Sequence, residues 1–265
     1  MTPAERRVKS KPLSRTSQFN KGKNLSMNSK QNQPIIRDGH WRALKKLHDA
    51  EAYKRTRELY RAALGGIDVF LRPTEKGFTV LSLDADDCPS MIGVGAIGTN
   101  EHILSTLPPD EEKVRHAVEG YEAKRESMKR ASSEEAYALR LIASALSNGL
   151  SLGSAYFITQ EWRLPSNQKV DILCADPKQD CLVVIELKSS ENEAQATRTG
   201  SNAWEQAQSY ADRIYEDRQE LYPFFEQLGR TLAQNHGAPA ELRNLNLDLK
   251  RRPRVLVSWP GGDFQ

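Results

Sequence analysis

Three charged residues stand where a strand should be apolar. They are Asp171, Glu186 and Lys188, in the stretch Lys-Val-Asp-Ile-Leu-Cys-Ala-Asp-Pro-Lys-Gln-Asp-Cys-Leu-Val-Val-Ile-Glu-Leu-Lys-Ser-Ser that runs from Lys169 to Ser190. Charged groups are costly to bury unless they are paired or bind a metal. Two carboxylates and one ammonium at one point can hold a hard divalent cation through oxygen. They can also close a structural ion-pair network, but that reading leaves one negative charge uncompensated, which buried networks tend to avoid.

The elements that must position these groups can be read from the same stretch. Two apolar runs, 170–175 and 181–187, flank a polar turn on Asp176-Pro177-Lys178-Gln179-Asp180. Short runs rich in Val and Ile, bounded by Asp and Pro, predict a β-hairpin. With the turn centred between Lys178 and Gln179, Asp171 falls opposite Glu186, and opposed residues of an antiparallel pair project from one face. Lys188, two positions on, joins them. The other face carries Val170, Ile172, Cys174, Val183, Ile185 and Leu187, while Leu173 and Val184 continue the charged face as apolar residues. Both faces are therefore expected to be covered.

Around the hairpin the periodicity predicts an alternating α/β order. Ser132-Ser133-Glu134-Glu135 supplies an N-cap and early acids for a helix that ends at Asn148-Gly149. Glu135 sits at the N-terminal end of its apolar stripe, with Glu134 as the competing choice, and the bland role of either is dipole compensation. A strand follows over 155–162. After the hairpin, a helix from Asn202 to about Asp217 carries Gln206 and Tyr210 one turn apart on the core-facing side. The segment 221–252 reads as one or two further helices or a long insertion, and 254–259 as a last strand.

The preceding half predicts a helix over 40–64 stopped by Gly65-Gly66, strands over 67–71 and 78–83 joined by the turn 72–77, and a helix from Asp110 to about Arg130. Between them, Asp84, Asp86 and Asp87 read as a solvated loop. Gly93-Val94-Gly95-Ala96-Ile97-Gly98 matches a dinucleotide fingerprint on paper, but Cys88-Pro89-Ser90 breaks the strand that should enter it and Pro108-Pro109 cuts short the helix that should leave it. No cofactor is expected there.

Composition bounds the rest. The 265 residues carry 38 Lys and Arg against 35 Asp and Glu, a net charge of +3. Eight of those cations, with the single acid Glu5, fall in residues 1–30, so the remainder holds 30 basic and 34 acidic groups. Residues 1–38 are expected to be a disordered basic arm, attracted to phosphate backbones or simply solubilising. No run is long enough to span a membrane and no secretory signal precedes the fold. Cys88, Cys174 and Cys181 lack metal-ligand spacing, so free thiols in a reducing cytoplasm are the expectation. No rival catalytic set stands out: the five His are scattered, with no nucleophile elbow and no phosphate-binding Gly-Lys loop.

The order helix, strand, hairpin, helix, strand, with Asp171 followed by Glu186-Leu187-Lys188, resembles the PD-(D/E)xK nuclease superfamily. Gln206-Ala207-Gln208-Ser209-Tyr210 is similar to the Gln-xxx-Tyr motif of its RecB-like branch. The resemblance covers about 132–260; Val170 replaces the motif's proline. It implies a restriction-endonuclease-like αβββαβ core with a mixed central sheet (residues 131–265), preceded by a small α+β module (39–130). It also implies a Mg²⁺-dependent deoxyribonuclease, with Mn²⁺ as a substitute metal. Asp171 and Glu186 would be metal ligands, with the Leu187 carbonyl and Glu135 adding oxygens, directly or through water. Lys188 would orient or deprotonate the attacking water. Gln206 and Tyr210 would position the site or the bound strand. The expected partner is DNA, with RNA, a protein partner and homo-oligomers left open. The alternative is a nucleic-acid-binding or complex-assembly protein on the same fold that does not cut.

Overall fold

The computed structural model describes residues 35–83, 91–92, 104, 106–128, 133–164, 168–190, 202–236 and 240–262. Residues 34–265 form one compact mixed α/β unit. Residues 1–34 of the basic arm, the Asp84–Asp87 cluster and the Gly93–Gly98 segment lie outside the described residues; the last residues assigned to the arm are ordered into the fold, with Ile36 buried and Asp38 opening the first helix.

The hairpin predicted from alternation is present as β6 (Lys169–Asp176) and β7 (Cys181–Leu187). Their register pairs Ile172 with Ile185, Leu173 with Val184 and Asp176 with Cys181. Continued by one residue, it sets Asp171 opposite Glu186. Every residue of β7 is buried, as expected of a strand covered on both faces. Asp176 ties the turn, its carboxylate accepting from the N–H groups of Lys178 and Gln179 and from Arg254 Nη1 at 2.7 Å.

β6 and β7 are the centre of a five-stranded sheet in the order β4-β5-β6-β7-β8. β4 (Ser151–Leu152) and β5 (Ala155–Arg163) continue it antiparallel on one side. β8 (Arg254–Ser258) pairs parallel with β7 on the other. A parallel neighbour requires a crossover. The chain makes it through α5 (Ala203–Glu216), α6 (Arg218–Asn235) and the short α7 (Ala240–Arg243). Asn202 starts α5 by accepting the Trp204 N–H on its side chain, and the face Ala203, Ala207, Tyr210, Ala211 and Ile214 is buried against β7 and β8. The segment the sequence left open thus becomes α6 and α7. α6 packs Phe224 and Phe225 around Trp162 of β5, with ring centroids 5.5 and 5.0 Å away.

The preceding half holds α1 (Asp38–Leu47), α2 (Ala50–Ala63), the strands β1 (Val69–Thr74), β2 (Gly77–Ser82) and β3 (Met91–Ile92), then α3 (Glu111–Met128). The single helix expected over 40–64 is two, because Asp49 accepts the Ala52 N–H and starts α2 afresh. β1 ends three residues later and β2 starts one residue earlier than expected, which leaves only Glu75-Lys76 in the turn. Pro73 lies within β1, which is tolerable because β1 is the edge of its three-stranded sheet. α4 (Ser133–Ser147) then leads into the larger sheet. One hydrophobic cluster runs from Ile36 to Leu247, so the core is continuous across residue 130.

Candidate active site

Asp171 near the start of β6, Glu186 near the end of β7 and Lys188 just beyond it meet at one end of the sheet. Asp171 Oδ2 accepts the Leu187 N–H at 2.9 Å, so that side chain bridges to the neighbouring strand. Glu186 is only 1 % exposed. Its Oε1 receives Lys188 Nζ at 2.5 Å, and its Oε2 is buried without a donor among the described residues.

The titration of the three groups follows from this packing. Burial, and then the nearby charge of Asp171, pushes the Glu186 carboxyl up to about 8. Asp171 is also raised by burial, against the Leu187 N–H and Lys188, which pull it down. Burial alone would lower the Lys188 ammonium. The hydrogen bond and charge of Glu186, with those of Glu134 and Asp171, outweigh burial and raise it. The cluster therefore holds two buried carboxyls, Glu186 raised further by the charge of Asp171, beside a lysine whose charged form both acids favour.

Gln206 and Tyr210 also come to this place. Gln206 Nε2 donates to Tyr210 Oη at 2.6 Å. Tyr210 is 4 % exposed, and burial, together with the charges of Glu186 and Asp171, raises its phenol. Of the two acids that open α4, Glu134 adds its charge to those that act on Lys188. The Glu135 side chain lies outside the described residues.

Several residues at this end were not singled out from the sequence. Glu161 of β5 falls opposite Asp171, because Gln160 pairs with Ile172 and Trp162 with Val170. It takes a left-handed backbone at φ 45° and adds its charge to those that raise Asp171. Lys169 Nζ reaches Glu161 Oε1 at 3.4 Å, and Arg72 Nη1, from β1, reaches Glu161 Oε2 at 3.5 Å and the Gln160 carbonyl at 3.3 Å. The signal that exposed Asp171, a charge within an apolar strand, was present at Glu161 as well. Tyr137 of α4 shares a 2.7 Å hydrogen bond with Ser258 Oγ, and the Ser258 carbonyl accepts the Lys188 N–H at 3.0 Å. No local pattern announced that tether.

Comparison with family models, with curated proteins and with solved structures finds no match for this chain. Among the described residues, no group of three His, Cys, Asp or Glu side chains is arranged to hold a metal ion. The donor set is instead two carboxylates, one with a buried oxygen lacking a donor. That suits Mg²⁺, which commonly uses one or two carboxylates and completes its shell with water and substrate phosphate. No helix among the described residues is long and apolar enough to cross a membrane. Cys174 and Cys181 are free and buried.

Proposed function

We propose that this protein is a Mg²⁺-dependent nuclease that hydrolyses phosphodiester bonds in DNA on a restriction-endonuclease-like αβββαβ core. One observation carries the reading. Two carboxylates, Asp171 and Glu186, sit side by side on adjacent central strands with a single lysine to compensate them, and Glu186 Oε2 is left without a donor. A structural ion pair has no use for the second acid, whereas a divalent cation would favour the charged form of Glu186 that burial and the Asp171 charge oppose. The order α4, β5, β6, β7, α5, β8, interrupted by the short β4 and by α6 and α7, with β7 and β8 parallel, supports that reading.

In this reading Asp171 and Glu186 hold the metal, with the Leu187 carbonyl as a further oxygen and an acid of α4 behind them, Glu135 or Glu134; the charge of Glu134 acts on Lys188. When bound, the metal supplies Lewis acidity to the phosphoryl oxygen and a more acidic water. The raised pKa of Lys188 makes it a hydrogen-bond donor and a positive charge at the attacked phosphate rather than a general base. Gln206 holds the Tyr210 hydroxyl, and that pair forms the wall against which the strand would lie.

The alternative, a nucleic-acid-binding or assembly protein that does not cut, draws on the lack of a third converging acid among the described residues. Digestion of linear, circular and single-stranded DNA, and of RNA, with Mg²⁺ or Mn²⁺ separates the two. The nuclease cuts in the wild type and loses at least about a hundredfold in rate in Asp171→Ala and in Lys188→Ala, with the melting transition retained. Equal product from wild type and both variants would falsify the assignment. Binding with a steep salt slope and no product would support the alternative.

A further inference from the structure

We propose that the groove along the outer face of α5, with Trp204 in its wall, is a subsite for an unpaired nucleotide next to the cleaved phosphate. The preferred substrate is then single-stranded or frayed nucleic acid. This deepens the reading of the Asp171–Glu186 site and rests on it.

Trp204 is 43 % exposed, and Leu249 is the other exposed large hydrophobic residue among those described. Indole rings are enriched at binding surfaces, where the apolar ring and its N–H both meet a partner. The groove is open, about 840 Å³, and brings Trp204 together with the polar side chains of Gln168, Ser209 and Gln208, whose amide N–H donates to Asp212 at 3.0 Å. A flat aromatic face with amide and hydroxyl groups beside it is what a base needs to stack and to find hydrogen bonds. Two acids of the wall are paired: Asp212 with Arg252 at 2.8 Å, and Glu216 at 3.1 Å with Arg213, which it shares with Asp217 at 2.8 Å. Glu205 has no ion pair among the described residues.

A second observation ties the groove to the site. Gln168, at the groove's edge, precedes Lys169, and Lys169 is paired directly with Arg163 across β5 and β6. Like charges set directly opposite destabilise a sheet, so this pair has a use other than stability. Lys169 lies two positions before Asp171 and so on the same face, and its ammonium meets Glu161 at 3.4 Å. Two residues of strand span roughly 7 Å, which is about two steps of the charge spacing along one nucleic-acid strand. Arg163 and Lys169 are thus placed to hold a phosphate one or two nucleotides from the one at Asp171. Such a pair would serve duplex and single strand alike. The indole decides between them, because a base can lie on Trp204 only when it is free of its partner strand.

The test measures binding by fluorescence anisotropy in EDTA, where no metal-dependent cleavage occurs. The probes are labelled single-stranded DNA, single-stranded RNA and blunt duplex DNA. The wild type is expected to prefer single strands of either sugar. Trp204→Ala should weaken that binding about tenfold or more and leave duplex binding unchanged, and Trp204→Phe should restore most of it. Arg163→Gln and Lys169→Gln should each lower the salt slope by about one. Equal single-strand affinity in wild type and Trp204→Ala, a preference for duplex, or no binding would each overturn the subsite. If Asp171-dependent cleavage persists while binding ignores Trp204, the subsite falls and the nuclease stands. Trp204-dependent binding without any cleavage overturns the nuclease and leaves a strand-binding groove.

Discussion

Glu186 ends β7 with Lys188 on one carboxylate oxygen and nothing on the other, and burial pushes its pKa up to about 8. In an unfolded chain a glutamate titrates near 4.3. Between those values the metal-free folded protein carries a proton that the unfolded chain has lost, so stability falls as pH rises. The contribution is complete below about 4.3 and is gone once the pH has passed through 8. Glu186→Gln keeps the shape and removes the titration. It should therefore melt about 4 °C or more above the wild type at pH 9 in EDTA, and near it at pH 5. Matching melting curves at pH 9 would show that Glu186 is not held protonated. The same proton must leave before a cation binds. Under the nuclease reading, the Mg²⁺ concentration for half-maximal cleavage should fall about tenfold per pH unit up to pH 8 and then level off. A Mg²⁺ requirement that does not move between pH 6.5 and 8 would count against metal binding at Glu186.

Helix α4 reaches the site through the tether between Tyr137 and Ser258, while the Ser258 carbonyl holds the main chain of Lys188. Removing the hydroxyl in Tyr137→Phe should cost about 1 kcal/mol of stability and loosen the approach of Glu134 to Lys188. Positioning contacts of this kind are typically worth about 10–100-fold in metal affinity. The expected result is a cleavage rate about tenfold lower at limiting Mg²⁺ that recovers when Mg²⁺ is saturating. A loss that saturating Mg²⁺ does not restore would mean that the tether serves the fold alone. The tether also marks where reading the sequence stopped. The β6–β7 register was legible because a period of two and a five-residue turn leave one arrangement that keeps both faces apolar apart from Asp171, Glu186 and Lys188. The choice between Glu134 and Glu135 was not, because adjacent residues on a helix differ by about a third of a turn and either stripe was apolar enough. Glu161 was missed for a different reason. Its place opposite Asp171 depends on the β5–β6 register, which slips between Phe157 and Thr159.

At the scale of the whole molecule, the first half is bound to the second by buried contacts rather than by a linker. Phe70 of β1 meets Phe157 of β5 edge to face at 5.3 Å, and Trp41 meets Phe224 at 5.2 Å. Tyr53 Oη lies 2.6 Å from His236 Nε2, and Asn235 donates to the Leu47 carbonyl at 2.8 Å. Each of these pairs would leave an aromatic face or a polar atom uncovered if the halves were separated, at about 1–3 kcal/mol for an unsatisfied buried polar group. A protein consisting of residues 131–265 is therefore expected to lose near-UV circular dichroism, bind a hydrophobic dye and melt without a sharp transition. Residues 34–265 should give one cooperative transition. A sharp melt from 131–265 would show that the half with the site folds alone. Arg72 gives the packing a role beyond stability, because it grips the Gln160 carbonyl and Glu161 opposite Asp171. Arg72→Met retains bulk and removes the donors. If the small sheet fixes the β5 edge of the site, this variant keeps the single transition yet cleaves more slowly at every Mg²⁺ concentration. A rate equal to wild type would reduce the first half to a cover for the core.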